Sequence, residues 1–526
     1  MAKLLKKKRP QITGADTVAT FMEHFVTILC VAIMILVPLY MKDGYYEIGQ
    51  CKYDMYWGIT VLLFPVLLIF TVIYFALQRK EISVKALGKL FTFTDIAVLF
   101  YFVCTLISFF LCNYKADAWT GYAGWNMGLY AQISFVLLYL FTSRYARDYK
   151  VILTVLLGVS VIVILFGVLN RFVIDPLGVY DGIPEFYRVQ FLSTLGQTSW
   201  YSSFLCVVLP IGIYAFWKSE KKSTLIVTGC YILLGFMSLV TQNSDSAYFA
   251  FATMMLVFLW YSLDEWKKTK RFFAIIFLFG LSAKLVQGIS FFTDESVIVQ
   301  LDKLSLSLIN GIFPWILMAV CVLCIVSASL QEKVKAYPVK RIKIFRNIFF
   351  GVCGVGFCAA VILLILSAQM GENVPWASVP YLLWNEHWGN ARGFTWEISW
   401  KMFVEMDLPD KLFGVGPECY PYYAYENYKE IVDQKWSGSV LTNAHNEWFN
   451  AVINYGIVGA VSYLAIFITG IARCIKRAKL IPEMVMVIAC IVAYVSHNFF
   501  CYQQVLCTPF VFIILGIAQY IMRKAE

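Results

Sequence analysis

The sequence predicts an all-α fold, a polytopic bundle of about twelve to fourteen transmembrane helices, and three observations carry that reading. Of 526 residues, 60% are apolar and only 14% charged, against about 45–50% and about 25% in an average soluble domain. The apolar residues fall in separate runs of about 18 or more, each long enough to cross about 30 Å of hydrocarbon as a helix. The basic residues sit in short bursts between those runs, and bursts and basic-poor connections alternate along the chain. Such a composition excludes a cytosolic globular enzyme, a disordered chain and a small disulfide scaffold. The net charge of +10 is topology information, and no nucleic-acid partner follows from it.

The N-terminus, Met1-Ala2-Lys3-Leu4-Leu5-Lys6-Lys7-Lys8-Arg9, precedes an apolar run from about Phe25 to Tyr40. No small-residue cleavage site follows, so the run reads as a retained first span. Fourteen spans are expected, centred near residues 32, 67, 103, 135, 160, 209, 232, 255, 282, 319, 357, 461, 490 and 513. Segments 3–9, 79–89, 144–150, 218–222, 267–271, 333–346, 473–479 and 523–524 hold 31 of the 43 lysines and arginines. The positive-inside rule places these segments and both termini in the cytoplasm. The span near 282 is the most polar, because Lys284 and Gln287 lie in its outer half; that lysine either faces the bundle interior or snorkels to the headgroups.

Three regions follow: an N-terminal transmembrane bundle (1–368, with an outer loop near 172–199), a large extracytoplasmic loop (369–448) before the third-last span, and C-terminal transmembrane spans (449–526). The large loop is rich in Trp and Tyr, which argues against disorder. Within 394–406, Trp396, Trp400 and Phe403 follow helical spacing opposite Glu397 and Lys401, the pattern of an amphipathic helix lying on the outer surface. No Walker A motif, no helix-opening GxGxxG and no Asp-x-Asp occurs, so neither ATP-driven transport nor a metal-bound nucleotide-sugar donor is indicated. Most of the 15 cysteines lie in apolar runs as small buried hydrophobes. Cys321 and Cys324 have CxxC spacing without a second ligand pair, so no metal or cofactor is expected. Cys51 and Cys419 lie outside the membrane and are free to pair.

Thr442-Asn443-Ala444-His445-Asn446-Glu447-Trp448 leads into an apolar span. Asn443 or Thr442 is expected to cap that helix, placing His445 in its first turn, where the macrodipole favours a neutral ring. A neutral imidazole at the membrane boundary can serve as general base or hydrogen-bond acceptor, or can simply pack. Gly456 and Gly459 follow His445 by eleven and fourteen residues, which on a continuous helix puts all three on one face. Gly456 and Ala460 form a small-xxx-small pair that admits a neighbouring helix. Three arginines lie on the outer side: Arg171, Arg188 and Arg392. Each can pair with a loop carboxylate, or bind a phosphate or diphosphate with its guanidinium fork. Gly414-Val415-Gly416-Pro417 reads as a turn.

These residues resemble the O-antigen ligase and polymerase superfamily of bacterial membrane glycosyltransferases. His445-Asn446, nine residues, then Gly456-Ile457-Val458-Gly459 is similar to the family's His-Asn-x9-Gly-x-x-Gly ending. Arg392 with Trp396, then Gly414-Val415-Gly416, looks like its Arg…Trp…Gly-x-Gly stretch, and Thr194-Leu195-Gly196-Gln197 is similar to a Thr-x-Gly-Asn element with Gln197 in place of Asn. The resemblance covers about residues 185–520. It implies an inverting, metal-independent transfer at the outer face of the bacterial cytoplasmic membrane, from a glycan on undecaprenyl diphosphate to a hydroxyl of a glycan or lipid-glycan acceptor. It implies that His445 activates the acceptor hydroxyl and that Arg188 and Arg392 hold the diphosphate, with Asn446, Gly456, Gly459, Trp396, Gly414 and Gly416 in support. Two departures stand out. Family members usually have about twelve spans, and Asn243-Ser244-Asp245-Ser246 replaces a common Ser-Arg, for which Lys284 is a candidate substitute.

Two other functions remain open on the sequence. A flippase or exporter of lipid-linked oligosaccharides suits the span count, but has no use for a long outer loop with His and Arg at its ends. A peptidoglycan polymerase also has a large outer loop, but relies on an outer carboxylate and lacks the His-Asn-x9-Gly-x-x-Gly ending.

Overall fold

The computed structural model describes residues 13–78, 91–293, 299–334, 337–436 and 440–526; the basic segments 3–9 and 79–89 lie outside the described residues. Fourteen helices stand where the fourteen spans are expected. The first seven are α1 (Gly14–Leu39), α2 (Ile48–Gln78), α3 (Phe93–Leu111), α5 (Leu129–Tyr145), α6 (Tyr149–Arg171), α7 (Thr198–Lys218) and α8 (Lys222–Thr241). The second seven are α9 (Asp245–Ser262), α10 (Trp266–Phe292), α12 (Phe313–Val334), α13 (Val339–Met370), α17 (Glu447–Arg477), α18 (Glu483–His497) and α19 (Thr508–Ala525). Between them lie α4 (Lys115–Thr120), α11 (Lys303–Asn310), α14 (Trp388–Glu405), α15 (Leu408–Phe413) and α16 (Tyr420–Lys435). Among the described residues the one sheet is a two-stranded antiparallel pair, β1 (Phe191–Leu192) with β2 (Gly196–Gln197).

Ten of the helices are long and apolar enough to cross a membrane: α1, α2, α3, α6, α7, α8, α10, α12, α13 and α17. The other four, α5, α9, α18 and α19, have 17, 18, 15 and 18 residues. The two C-terminal ones are buried by protein on nearly every side, whereas the most apolar stretch of α13 has no buried residue, as a lipid-facing span requires. Helices α7, α18 and α19 form the centre of the bundle, with α3 against α17, α5 against α19 and α9 against α18.

Polar residues inside this apolar frame close helix ends. Thr92 and Asp95 make a reciprocal capping box on α3, which satisfies backbone N–H groups that have no helical partner. Asp95, fully buried, also accepts from Arg144 Nη1 at 3.0 Å and Tyr139 Oη at 2.9 Å, and pairs with Arg523. One carboxylate thus ties α3, α5 and α19 together. Lys52 donates to the carbonyls of Pro38 at 2.9 Å and Tyr40 at 2.5 Å, neutralising the C-terminal end of α1. Lys284 does the same at the end of α11: its Nζ donates to Ile309 O at 2.8 Å, Gly311 O at 2.7 Å and Gln287 Oε1 at 3.0 Å. Of the two readings of this lysine, the structure selects the bundle interior.

Removing the Asp95 charge leaves Arg144 and Arg523 facing each other at the junction of three helices. Asp95→Asn is expected to lower stability by about 3 kcal/mol, the range for breaking a buried pair, read as a fall in the thermal unfolding midpoint in detergent.

Candidate functional site

The chain between α13 and α17 folds on one end of the bundle around its own apolar cluster. Phe394, Ile398, Met402, Cys419, Tyr420, Ala424, Val432, Leu441, Ala444 and Ile453 form that cluster. The buried face of α14 is therefore Phe394-Thr395-Ile398-Ser399-Met402. Trp400 lies off that face, 57% exposed, and Trp396 turns from the cluster to join Trp384, Trp388, Phe449 and Phe500 at centroid distances of 5.4–6.2 Å.

The two glycine motifs meet as one joint. Gly456 adopts φ 65°, ψ −179° inside α17 and breaks its helical hydrogen bonding. A break there leaves the carbonyls of residues 453 and 454 without their usual partners four residues on. Val415 N donates to Ile453 O at 3.0 Å and Gly416 N to Asn454 O at 3.1 Å, and Ser108 Oγ reaches Asn454 O at 2.6 Å. Gly414 (φ 76°) lies so close to α17 that a Cβ would overlap the backbone of Asn454 and Tyr455, and a Cβ on Gly456 would overlap the backbone of Leu412 and Phe413. Gly459 packs against Tyr455 and Cys104. The shared helical face deduced for His445, Gly456 and Gly459 is thus corrected, because α17 is not continuous through Gly456 and His445 is not part of it.

His445 precedes the helix. Asn446 is the N-cap, with its Oδ1 accepting from Trp448 N at 2.9 Å and Phe449 N at 3.3 Å. The expected cap at Asn443 or Thr442 is corrected accordingly: Asn443 Oδ1 instead accepts from His445 N at 2.8 Å, a local turn that holds His445 at φ 49°. The half-buried ring lies between Trp436, 6.0 Å between centroids, and Tyr502, 5.7 Å. Burial and then the positive charge of Arg392 lower its pKa to about 3, so the ring is neutral at physiological pH. Neutrality is expected from the sequence; its cause here is desolvation and a neighbouring cation.

Arg392 follows three residues in the left-handed region, Gly389, Asn390 and Ala391 (φ 60°, 63° and 65°). Such strain in a non-glycine pair costs on the order of 1 kcal/mol per residue and concentrates at functional sites. The guanidinium donates to two carbonyls, Gly389 O at 2.6 Å and Phe500 O at 3.0 Å, while its buried Nε has no partner. Among the described residues it forms no salt bridge. It lies on the wall of a cavity of about 900 Å³, together with Trp388, Phe500, Tyr381, Asp245 and the serines 244 and 246. Arg188 stands elsewhere, on a single 3-10 turn (Glu185–Gln190) with its guanidinium 5.7 Å from the Tyr180 ring centroid, and is not on this cavity's wall. Lys284, committed to α11, is not there either.

The structure thus sets Arg392 on the cavity wall, with Trp396 against Phe500 of that wall and His445, next to the Asn446 cap, within the field of Arg392 but not on the wall; the glycine joint is a separate contact on α17, and Arg188 and Lys284 stand elsewhere. It adds residues that sequence reasoning passed over. Tyr502 Oη accepts from Trp200 Nε1 at 3.0 Å and donates to Gln197 Oε1 at 3.1 Å, so the Thr194–Gln197 element supports the wall behind His445. His497, fully buried, spans Ser203 Oγ at 3.1 Å and Ser246 Oγ at 3.2 Å behind the cavity. Glu418, also at positive φ (55°), accepts from the N–H groups of Tyr122 and Met127 and fastens the loop to the chain after α4. The available signal was the polar run Tyr502-Gln503-Gln504 between the last two spans. Cys419, left open on the sequence to pairing with Cys51, lies beside Cys112, with 3.5 Å between the sulfurs.

Replacing Gly456 or Gly414 with alanine forces a Cβ into facing backbone at a positive φ. Either variant is expected to lose at least about 2 kcal/mol and to expose the 414–436 segment to trypsin, measured by thermal unfolding and limited proteolysis.

In comparison with known protein families, residues 312–464 match the O-antigen ligase family. The match runs from α12 into α17, takes in Arg392, Trp396, both glycine motifs and His445, and covers just under a third of the chain. No curated protein matches the chain.

Proposed function

We propose that the chain, whose residues 312–464 match the O-antigen ligase family, is a membrane glycosyltransferase of the O-antigen ligase and polymerase kind, transferring a glycan from an undecaprenyl-diphosphate donor to an acceptor hydroxyl at the extracytoplasmic face of the bacterial cytoplasmic membrane. The observation that carries the reading is the neutral His445 in the field of Arg392, an arginine on the wall of a large cavity that makes no salt bridge among the described residues and whose nearest acidic influence is Asp245 on the same wall.

The chemistry follows from those two groups. A diphosphate leaving group is already a weak base and needs positive charge, not a proton, as its bond to the anomeric carbon breaks. Arg392 supplies that charge. An acceptor hydroxyl becomes strongly acidic only as its oxygen bonds to the anomeric carbon, so a base of low pKa suffices if it stands in line. Binding of the anionic diphosphate beside Arg392 offsets the charge that depresses His445, making the ring a better base once the donor is in place. Attack from the side opposite the diphosphate gives inversion, and no step calls for a metal. Trp388, Trp396 and Phe500 offer flat apolar faces for sugar rings.

Purified protein in nanodiscs with an undecaprenyl-diphosphate oligosaccharide is expected to release undecaprenyl diphosphate. His445→Ala is expected to reduce the rate at least about 100-fold, and Arg392→Ala to lower kcat/KM by about 100-fold, each with unchanged unfolding. Release equal to wild type in His445→Ala overturns the assignment. Transport of intact donor across liposomes without release favours the flippase reading. Because the free-enzyme ring protonates only near pH 3, kcat/KM is expected to show no acid limb from His445 between about pH 5 and 8; an inflection near 6.5 that His445→Gln removes would contradict this.

A further inference from the structure

Cys112 and Cys419 are far apart in the chain and meet where the loop docks on the bundle. Cys112 is the C-cap of α3 and Cys419 the N-cap of α16. Both are buried, and their sulfurs are 3.5 Å apart across a sequence separation of 307 residues. The glycine joint makes room for them: a Cβ on Gly416 would fall on the Cys112 and Cys419 sulfurs. The two thiols are unequal. Tyr114 N–H donates to the Cys112 sulfur at 3.1 Å. The hydrogen bond with Cys419, and to a lesser extent the charge of Lys115, shift the Cys112 pKa downward. The same hydrogen bond, and then burial, hold the Cys419 thiol up. Cys112 is therefore the readier thiolate, and a thiolate is the species that attacks a disulfide.

We propose that Cys112 and Cys419 form a disulfide that locks the loop onto α3 beside the Gly414–Gly456 joint. The oxidant is a dithiol–disulfide oxidoreductase of the extracytoplasmic compartment. The Cys112 thiolate attacks its disulfide, forming a mixed disulfide and releasing one oxidant thiolate. Cys419, losing its proton to solvent, then attacks the Cys112 sulfur and expels the second thiolate. Two thiols lose two electrons and two protons, and one disulfide of the oxidant becomes a dithiol. Bonding needs the sulfurs to approach by about 1.5 Å, to about 2.05 Å. The proposal goes beyond the transferase reading but rests on its placement of the loop outside the cytoplasm, where disulfides persist.

The test is chemical and independent of transfer activity. Full-length protein is blocked with N-ethylmaleimide in intact cells and again after denaturation without reductant, then digested and analysed by mass spectrometry. A linked peptide pair holding Cys112 and Cys419 is expected, absent from Cys112→Ser and Cys419→Ser and retained in Cys51→Ser. Reduction is expected to lower the unfolding midpoint of wild type and to leave that of the Cys112→Ser/Cys419→Ser double variant unmoved. Full N-ethylmaleimide labelling of both residues in wild type, or a Cys51–Cys419 link, overturns the proposal. In parallel, the exposed Glu430 is replaced as Glu430→Cys and probed in intact cells with a membrane-impermeant maleimide. Labelling there with both native thiols free defeats the disulfide alone; no labelling defeats the loop placement, and with it both readings.

Discussion

The arrangement of the loop depends on one exchange of backbone hydrogen bonds. Where α17 breaks at Gly456, the carbonyls of Ile453 and Asn454 lose their helical donors in a largely apolar setting, and an unsatisfied carbonyl there costs on the order of 1–3 kcal/mol. The N–H groups of Val415 and Gly416 and the hydroxyl of Ser108 supply the missing donors. That exchange is possible only if two backbones approach with no side chain between them, which is why glycine stands on both sides, at 414 and 456. The joint holds the loop to α3 and α17, and the chain that leaves it toward α17 carries His445.

The same geometry sets the electrostatics. His445 is held outside the helix by the Asn446 cap and the Asn443 turn, against Trp436 and Tyr502, and within the field of Arg392. The guanidinium hydrogen-bonds to two carbonyl oxygens, which orient it, and Asp245 on the same wall acts on it without forming a salt bridge. A pairing with Glu or Asp would have cancelled the charge that an anionic ligand needs. The strained left-handed turn at 389–391 is the local cost of presenting that group to the cavity. Lys284 and Lys52 show the contrasting use of a cation in this bundle, spent on helix-end carbonyls.

How much of this could be read from the chain depends on the range of the interaction concerned. The fourteen helices follow from runs of apolar residues, a property of each segment alone. The candidate residues His445, Arg392 and Trp396 were legible as polar or aromatic exceptions in an outer loop. The face of α14 that packs within the loop was not legible, because periodicity offers two apolar stripes, and the partner cluster of Cys419, Tyr420 and Ala424 decides which one the loop buries. Arg188 and Arg392 looked equivalent as loop arginines; only the surfaces around them differ.

The sequence by itself determined that this is an all-α membrane protein with a long aromatic loop before its third-last span, because hydrophobic length and charge alternation are one-dimensional quantities that the bilayer reads directly. Tertiary structure alone decided that Gly456 breaks the helix and admits the backbone of residues 412–413, that Asn446 is the cap, that Tyr502 and Gln197 stand behind His445, and that Cys419 faces Cys112 and not Cys51. Each of these rests on contacts between segments far apart in the chain. No local pattern encodes which of several equivalent partners a carbonyl, a sulfur or an aromatic face will meet.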